Sequence, residues 1–193
     1  MHRKSNILGD DYNMKTGLKE IFDPAKKFYE MKNKSEKKMY VVMPIVIGAM
    51  CFGGSLLLHG NASTCLLDIM NDIINQFITI TALFISFTMA YLTILITSSS
   101  KNVEDLKRED SDLKDAKGKF YSIYQEVTTE ITYTVIVEII FLIFCVFEKF
   151  VINYVCNEIM KIFCAMDIAI FIHILLLMLI IVKDIYYTFW RSR

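Results

Sequence analysis

Residues 73–97 read IINQFITITALFISFTMAYLTILIT, a stretch with no charged side chain. As a helix rising about 1.5 Å per residue, it is long enough to cross the ~30 Å hydrocarbon layer of a bilayer. A helix in a soluble bundle would keep a polar face for water, and this one has no charged face to offer. Its reading decides the fold, because it makes lipid the solvent. Three further apolar runs follow the same logic, at 39–58, 131–154 and 160–182. The third holds Glu138 and reaches full length only by running past Glu148 and Lys149; the fourth holds Asp167 and the titratable His173. The expectation is an all-α fold: an integral membrane four-helix bundle of four spans within 39–190.

The rest of the chain is an arm (1–38), a loop (98–130), two short connections and a tail (183–193). None is long enough for a separate soluble enzyme domain. No short apolar core with a small-residue cleavage site precedes Met39, so the first span itself is expected to direct insertion. Lys and Arg alternate along the chain. There are ten in 1–40, none in 59–73, six in 98–130, and Lys183, Arg191 and Arg193 in the tail. Positive residues favour the cytoplasmic side, so both termini and the 98–130 loop are expected there, with the protein multi-pass in the cell's inner membrane. Tyr186, Tyr187, Phe189 and Trp190 fit an interfacial aromatic belt.

In the arm, Asp23 can cap a helix, Pro24 suits its first position, and Ala25, Phe28 and Tyr29 share a face, preceded by Leu18, Ile21 and Phe22. This pattern predicts an amphipathic helix on the inner leaflet. The first span has Pro44, whose freed carbonyl a neighbour can satisfy, and Gly48, Gly53 and Gly54, which permit close approach or a kink. In the second span Thr79, Ala82, Ser86, Ala90, Thr93 and Thr97 recur at three- and four-residue steps. Such a face packs closely in lipid. It serves contacts within one protomer on one reading, and an oligomer contact or pore lining on the other. In the loop, Val103, Leu106, Leu113, Phe120, Tyr124 and Val127 make a helical seam with a turn at Gly118. This predicts a cytoplasmic helical hairpin extending the second and third spans.

Ionisable residues at membrane depth need partners. Counting residues brings Glu138 and His173 to one depth on antiparallel helices, which predicts a hydrogen bond serving as a structural clasp or a proton-responsive pair. Asp167 falls level with Lys149, which predicts an ion pair. Cys65 and Cys156 both fall in outer loops, where a disulfide is one outcome and unpaired thiols the other. No motif for catalysis, for a cofactor or for a metal is present, and Asn61-Ala62-Ser63 is too common a sequon to use. The lysines are diluted by carboxylates, so no nucleic acid is expected as a partner.

The stretch Phe84-Ile85-Ser86-Phe87-Thr88-Met89-Ala90-Tyr91-Leu92-Thr93-Ile94-Leu95-Ile96-Thr97-Ser98-Ser99-Ser100 ends a span and leads into a charged segment, and Thr132-Tyr133-Thr134-Val135-Ile136-Val137-Glu138 opens the next. In architecture and texture, over 73–147, the chain resembles small four-span bacterial membrane proteins of phage-defence loci, nearest the membrane subunit of the Kiwa system. That resemblance implies a non-enzymatic membrane oligomer that senses disturbance at the envelope and acts with a cytoplasmic protein partner. The 98–130 loop and the N-terminal arm are the expected contacts for that partner. A small channel, a holin-like pore or a transporter component is the alternative.

Overall fold

The computed structural model describes residues 20–57, 63–114, 118 and 120–190, the side chains of 57, 63–66 and 189 excepted. The described residues form α1 (Asp23–Met31), α2 (Lys34–Leu57), α3 (Ser63–Thr97), α4 (Lys101–Arg108), β1 (Asp110–Lys114), β2 (Phe120–Ser122), α5 (Ile123–Val151) and α6 (Asn157–Trp190). A single 3-10 turn, Ile152–Tyr154, joins the last two. The architecture is all-α apart from one antiparallel β-hairpin.

Three stretches are long and apolar enough to cross a membrane: Lys34–Leu56, Leu67–Thr97 and Asn157–Thr188. Each leaves large apolar side chains uncovered, among them Ile45 and Met50 on α2, Leu83 and Ile94 on α3, and Leu179 and Val182 on α6. The remaining apolar run lies on α5. That helix is the most enclosed, with Glu130, Glu138 and Glu148 among its ten buried residues. Both α3 and α6 pack on α5, α2 packs on α6, and α1 sits against the first turns of α5.

Three apolar clusters hold these helices together. Phe77, Phe84, Phe141 and Phe171 interlock around Met70 and Ile74 in one half of the bundle. At the opposite end Tyr91, Leu95, Val103, Leu106, Val127, Ile131 and Ile181 bind α3, α4, α5 and α6 into one core. The third joins Phe28 of α1 to Tyr40, Tyr133, Leu177 and Ile180.

The α2–α6 seam is a close helix approach. Tyr40, Pro44 and Gly48, spaced by four, are the buried residues of α2. A Cβ on Gly48 would stand 2.8 Å from the Ala165 carbonyl oxygen and 2.9 Å from Ala169 Cβ, so only glycine permits this contact. Gly53 and Gly54 meet nothing within 4 Å. The small residues of α3 do something else. Thr79, Ala82, Ser86, Ala90, Thr93 and Thr97 are all exposed, so they do not pack within the protomer. Their hydroxyls turn back to helix carbonyls four residues earlier, as from Thr79 to Asn75 and from Ser86 to Ala82. The buried face of α3 is instead Met70, Ile74, Thr81, Thr88, Tyr91 and Leu95.

The expected cytoplasmic helical hairpin is not formed. α3 ends at Thr97, α4 is a separate short helix, and a β-hairpin replaces the middle of the seam. The cause is local. In the polar run after Arg108, Ser111 Oγ accepts from the Leu113 amide at 3.3 Å and donates to Glu126 at 2.6 Å, an arrangement that competes with helical bonding. The seam survives at its ends: Val103, Leu106 and Val127 are buried, while Phe120 is exposed and holds Lys114 over its ring at 4.4 Å. Gly118, at φ +81°, makes the turn with a backbone that disfavours other residues. Ser122 and Gln125 then form a reciprocal capping box that starts α5.

Candidate functional site

A chain of polar contacts crosses the bundle where α1 meets it. It begins with a missing donor. Pro44 has no N–H, so the carbonyl four residues back, that of Tyr40, lacks its helical partner. The His173 imidazole fills the gap, with Nδ1 2.9 Å from the Tyr40 oxygen. A carbonyl only accepts, so Nδ1 carries the hydrogen. In the neutral ring Nε2 is then an acceptor. The Tyr133 hydroxyl lies 3.1 Å from it, and the Tyr29 hydroxyl lies 3.0 Å from that of Tyr133. With Nε2 accepting, Tyr29 donates to Tyr133 and Tyr133 donates to His173. Protonating the ring makes Nε2 a donor and reverses the chain. Four helices are thereby linked: α1, α5, α6 and α2.

Beside this chain, Lys32 is ion-paired with Glu130 and both are buried. On α1 and just after it, Tyr29 and Lys32 are three apart; on α5, Glu130 and Tyr133 are three apart. The two pairs match, and Phe28 stacks on Tyr133 between them with ring centroids 4.3 Å apart. Lys32 also sits 5.5 Å from the centre of the Phe28 ring. Burial works against the Lys32 charge, but the Glu130 carboxylate outweighs it and holds the ammonium above its ordinary value. Burial, and then the neighbouring Asp184, raise the Glu130 carboxyl to about 8 against the pull of Lys32. Lys183 completes the group, 3.2 Å from Asp184. Two cations thus meet two carboxyls.

The pairings expected between membrane-depth residues do not form. Glu138 and His173 face different neighbours. Glu138 takes a 2.8 Å hydrogen bond from Thr88 of α3, while His173 faces Tyr133 and α2. Glu138 and Tyr133, which does reach His173, are five apart, about 140° around the helix. Asp167 does not pair with Lys149, whose ammonium donates to Asn75 of α3; Asp167 lies beside Glu148 instead. Cys156 is an exposed free thiol, so the Cys65–Cys156 bridge is not made; the side chain of Cys65 lies outside the described residues. The amphipathic arm helix does form, with Pro24 in its first turn and Phe22 rather than Asp23 as its N-cap. Its apolar face packs on α5 instead of facing lipid, and Phe28 is fully buried. Leu18 and the sequon residues Asn61 and Ala62 lie outside what is described, and Ser63 opens α3.

Sequence reasoning missed Tyr133, Lys32, Glu130, Glu148 and Thr88. A usable signal existed for the first three. Pro44 marks Tyr40 as an open acceptor, and the two matched three-residue spacings mark complementary faces.

The site has no nucleophile–base pair, and no group of His, Cys, Asp or Glu among the described residues can hold a metal. Compared with known protein families, with curated proteins and with solved structures, the chain gives no match.

Proposed function

We propose that this protein is a non-enzymatic, four-span membrane protein whose bundle senses its surroundings and signals through α1. The observation that carries this reading is the double attachment of α1, by the Tyr29–Tyr133–His173 chain and by the Lys32–Glu130 pair. A shift of α6 against α2 breaks the Tyr40–His173 contact and changes what holds α1, so the state of the bundle is relayed to a surface helix. The exposed apolar side chains of α2, α3, α5 and α6 support lipid as the surrounding medium. The charges at the α1 end support a cytoplasmic location for both termini.

Within that class the setting we favour is bacterial phage defence, with a cytoplasmic protein as effector. This follows the resemblance of residues 73–147 to membrane subunits of such systems. The exposed Thr79–Ala82–Ser86–Ala90–Thr93–Thr97 face is the oligomer contact in this reading, since nothing among the described residues covers it.

The test is expression with the neighbouring genes. Protease access to α1 in native membranes is compared for wild type and Tyr133→Phe, alongside protection from phage. Release of α1 with loss of protection is expected; unchanged access and protection defeat the relay. Leucine at Ala82, Ser86 and Ala90 is expected to abolish oligomers in crosslinking, and retained oligomers remove that contact. Recovery of the chain in detergent-free solution would overturn the membrane reading. Ion flux in liposomes that Glu138→Gln alters would favour the pore or transporter.

A further inference from the structure

The end of the bundle opposite α1 contains a feature the relay does not use. Glu148 of α5 and Asp167 of α6 are side by side, 1% and 0% exposed. All four carboxyl oxygens are closed off from solvent and have no donor among the described residues. Both lysines nearby are engaged elsewhere, Lys149 with Asn75 of α3 and Lys161 with Glu158 at 3.2 Å. The titratable groups facing the pair are the thiols of Cys145 on α5 and Cys164 on α6, with Cys51 of α2 behind Cys164, and none brings positive charge.

Two adjacent carboxylates in an apolar interior repel each other and lose their hydration, so they persist together only around a cation. A metal ion would want further ligands, and no third His, Cys, Asp or Glu completes such a set among the described residues. The smallest cation needs none. With a hydrogen on one carboxyl, that group becomes a donor and its neighbour the acceptor, which satisfies one oxygen of each.

We propose that Glu148 and Asp167 share a single proton and form a proton-binding site at the end of the bundle remote from α1. The site holds one hydrogen between two carboxyls and exchanges it with bulk water as a single proton. It does not depend on which way the bundle faces, and it goes beyond the relay.

Infrared spectroscopy of the full chain in lipid vesicles reads this site directly. A Glu130→Gln/Glu138→Gln background removes the other two deeply buried carboxyls of α5. A protonated-carboxyl band that shifts in heavy water is expected near neutral pH, and it should vanish in the Glu148→Gln/Asp167→Asn double variant. In either single variant the remaining carboxyl should lose its proton at lower pH, because its like-charged neighbour is gone. A band untouched by the double substitution overturns the proposal. So does a band that sodium abolishes at constant pH, which would make the pair a metal-cation site. Because these variants can fail to fold, a second measurement uses the wild-type chain. A hydrophobic carbodiimide attacks protonated carboxyls, and peptide mass mapping should find it on Glu148 or Asp167 at neutral pH and on neither at high pH. Absence of label on both residues at neutral pH overturns the proposal.

Discussion

Glu130 and Glu148 lie on the same helix, about 27 Å apart along its axis, and both are buried. At one end Glu130 has Lys32 as its partner, with Asp184 and Lys183 beside it. At the other, Glu148 has only another carboxyl, although Lys149 follows it in the chain. The difference teaches that nearness in sequence does not supply a counter-ion. A cation neutralises a buried carboxyl when its own backbone is anchored so that it points inward. Lys32 directly follows α1 and lies over the Phe28 ring; Lys149 is exposed and reaches Asn75.

The comparison is broken most strongly by removing the inner cation. Above about pH 8, where Glu130 is ionised, Lys32→Met leaves a buried carboxylate without its ion pair, and such losses cost about 3–5 kcal/mol. A marked drop in thermal unfolding temperature in detergent is expected. Lys149→Met should change it little, and equal effects would erase the contrast. The second largest effect should come from the α2–α6 seam. Gly48→Leu drives a side chain into backbone at Ala165, and overpacking of this kind costs about 1–3 kcal/mol or more. Gly53→Leu meets no neighbour and serves as the control in the same melt.

How much of this was legible in sequence follows from what each feature depends on. Helix positions depend on composition and local signals, so 73–97, Pro24 and Gly118 could be read directly. Counting residues led to the expectation that Glu138 and His173 would meet. They do not pair, because helix rotation is fixed by which side chains interlock: Tyr133 turns toward α1 and α6, and Glu138 is thereby turned toward Thr88. The small face of α3 was readable as a face but not as inward or outward. That choice belongs to the aromatic cluster of Phe77, Phe84, Phe141 and Phe171, which claims the other side of the helix. The β-hairpin was hidden because a seam spaced by threes and fours ran across it, and one serine, Ser111, diverts the backbone.

A finer test separates the two attachments of α1. Tyr133→Phe removes one hydroxyl from the chain, and the net loss for such a bond is about 1 kcal/mol. Tyr133→Phe combined with Tyr29→Phe should cost less than the sum of the two, since they share a hydrogen bond; strict additivity in a double-mutant cycle would show the contact to be idle.

The attachment of α1 should also depend on pH. Lys32 and Glu130 are both raised in the folded protein, Glu130 from 4.5 to about 8. A raised group stabilises the fold below its unfolded value and loses that contribution as pH rises through the folded one. The Glu130 contribution should therefore fade between about pH 4.5 and 8, and that of Lys32 only above its ordinary value of 10.5. Hydrogen exchange in α1, corrected for intrinsic rates, should show protection declining across the first window. Protection that increases there would contradict the assignment.

Pro44 also sets an order of assembly. The Tyr40 carbonyl waits for a histidine 133 positions later in the chain. During synthesis α2 is made before α6, so the Tyr40 carbonyl stays without its partner until α6 has been made. A truncated product lacking α6 leaves that oxygen unpaired, four residues before Pro44, so α2 alone is an incomplete helix.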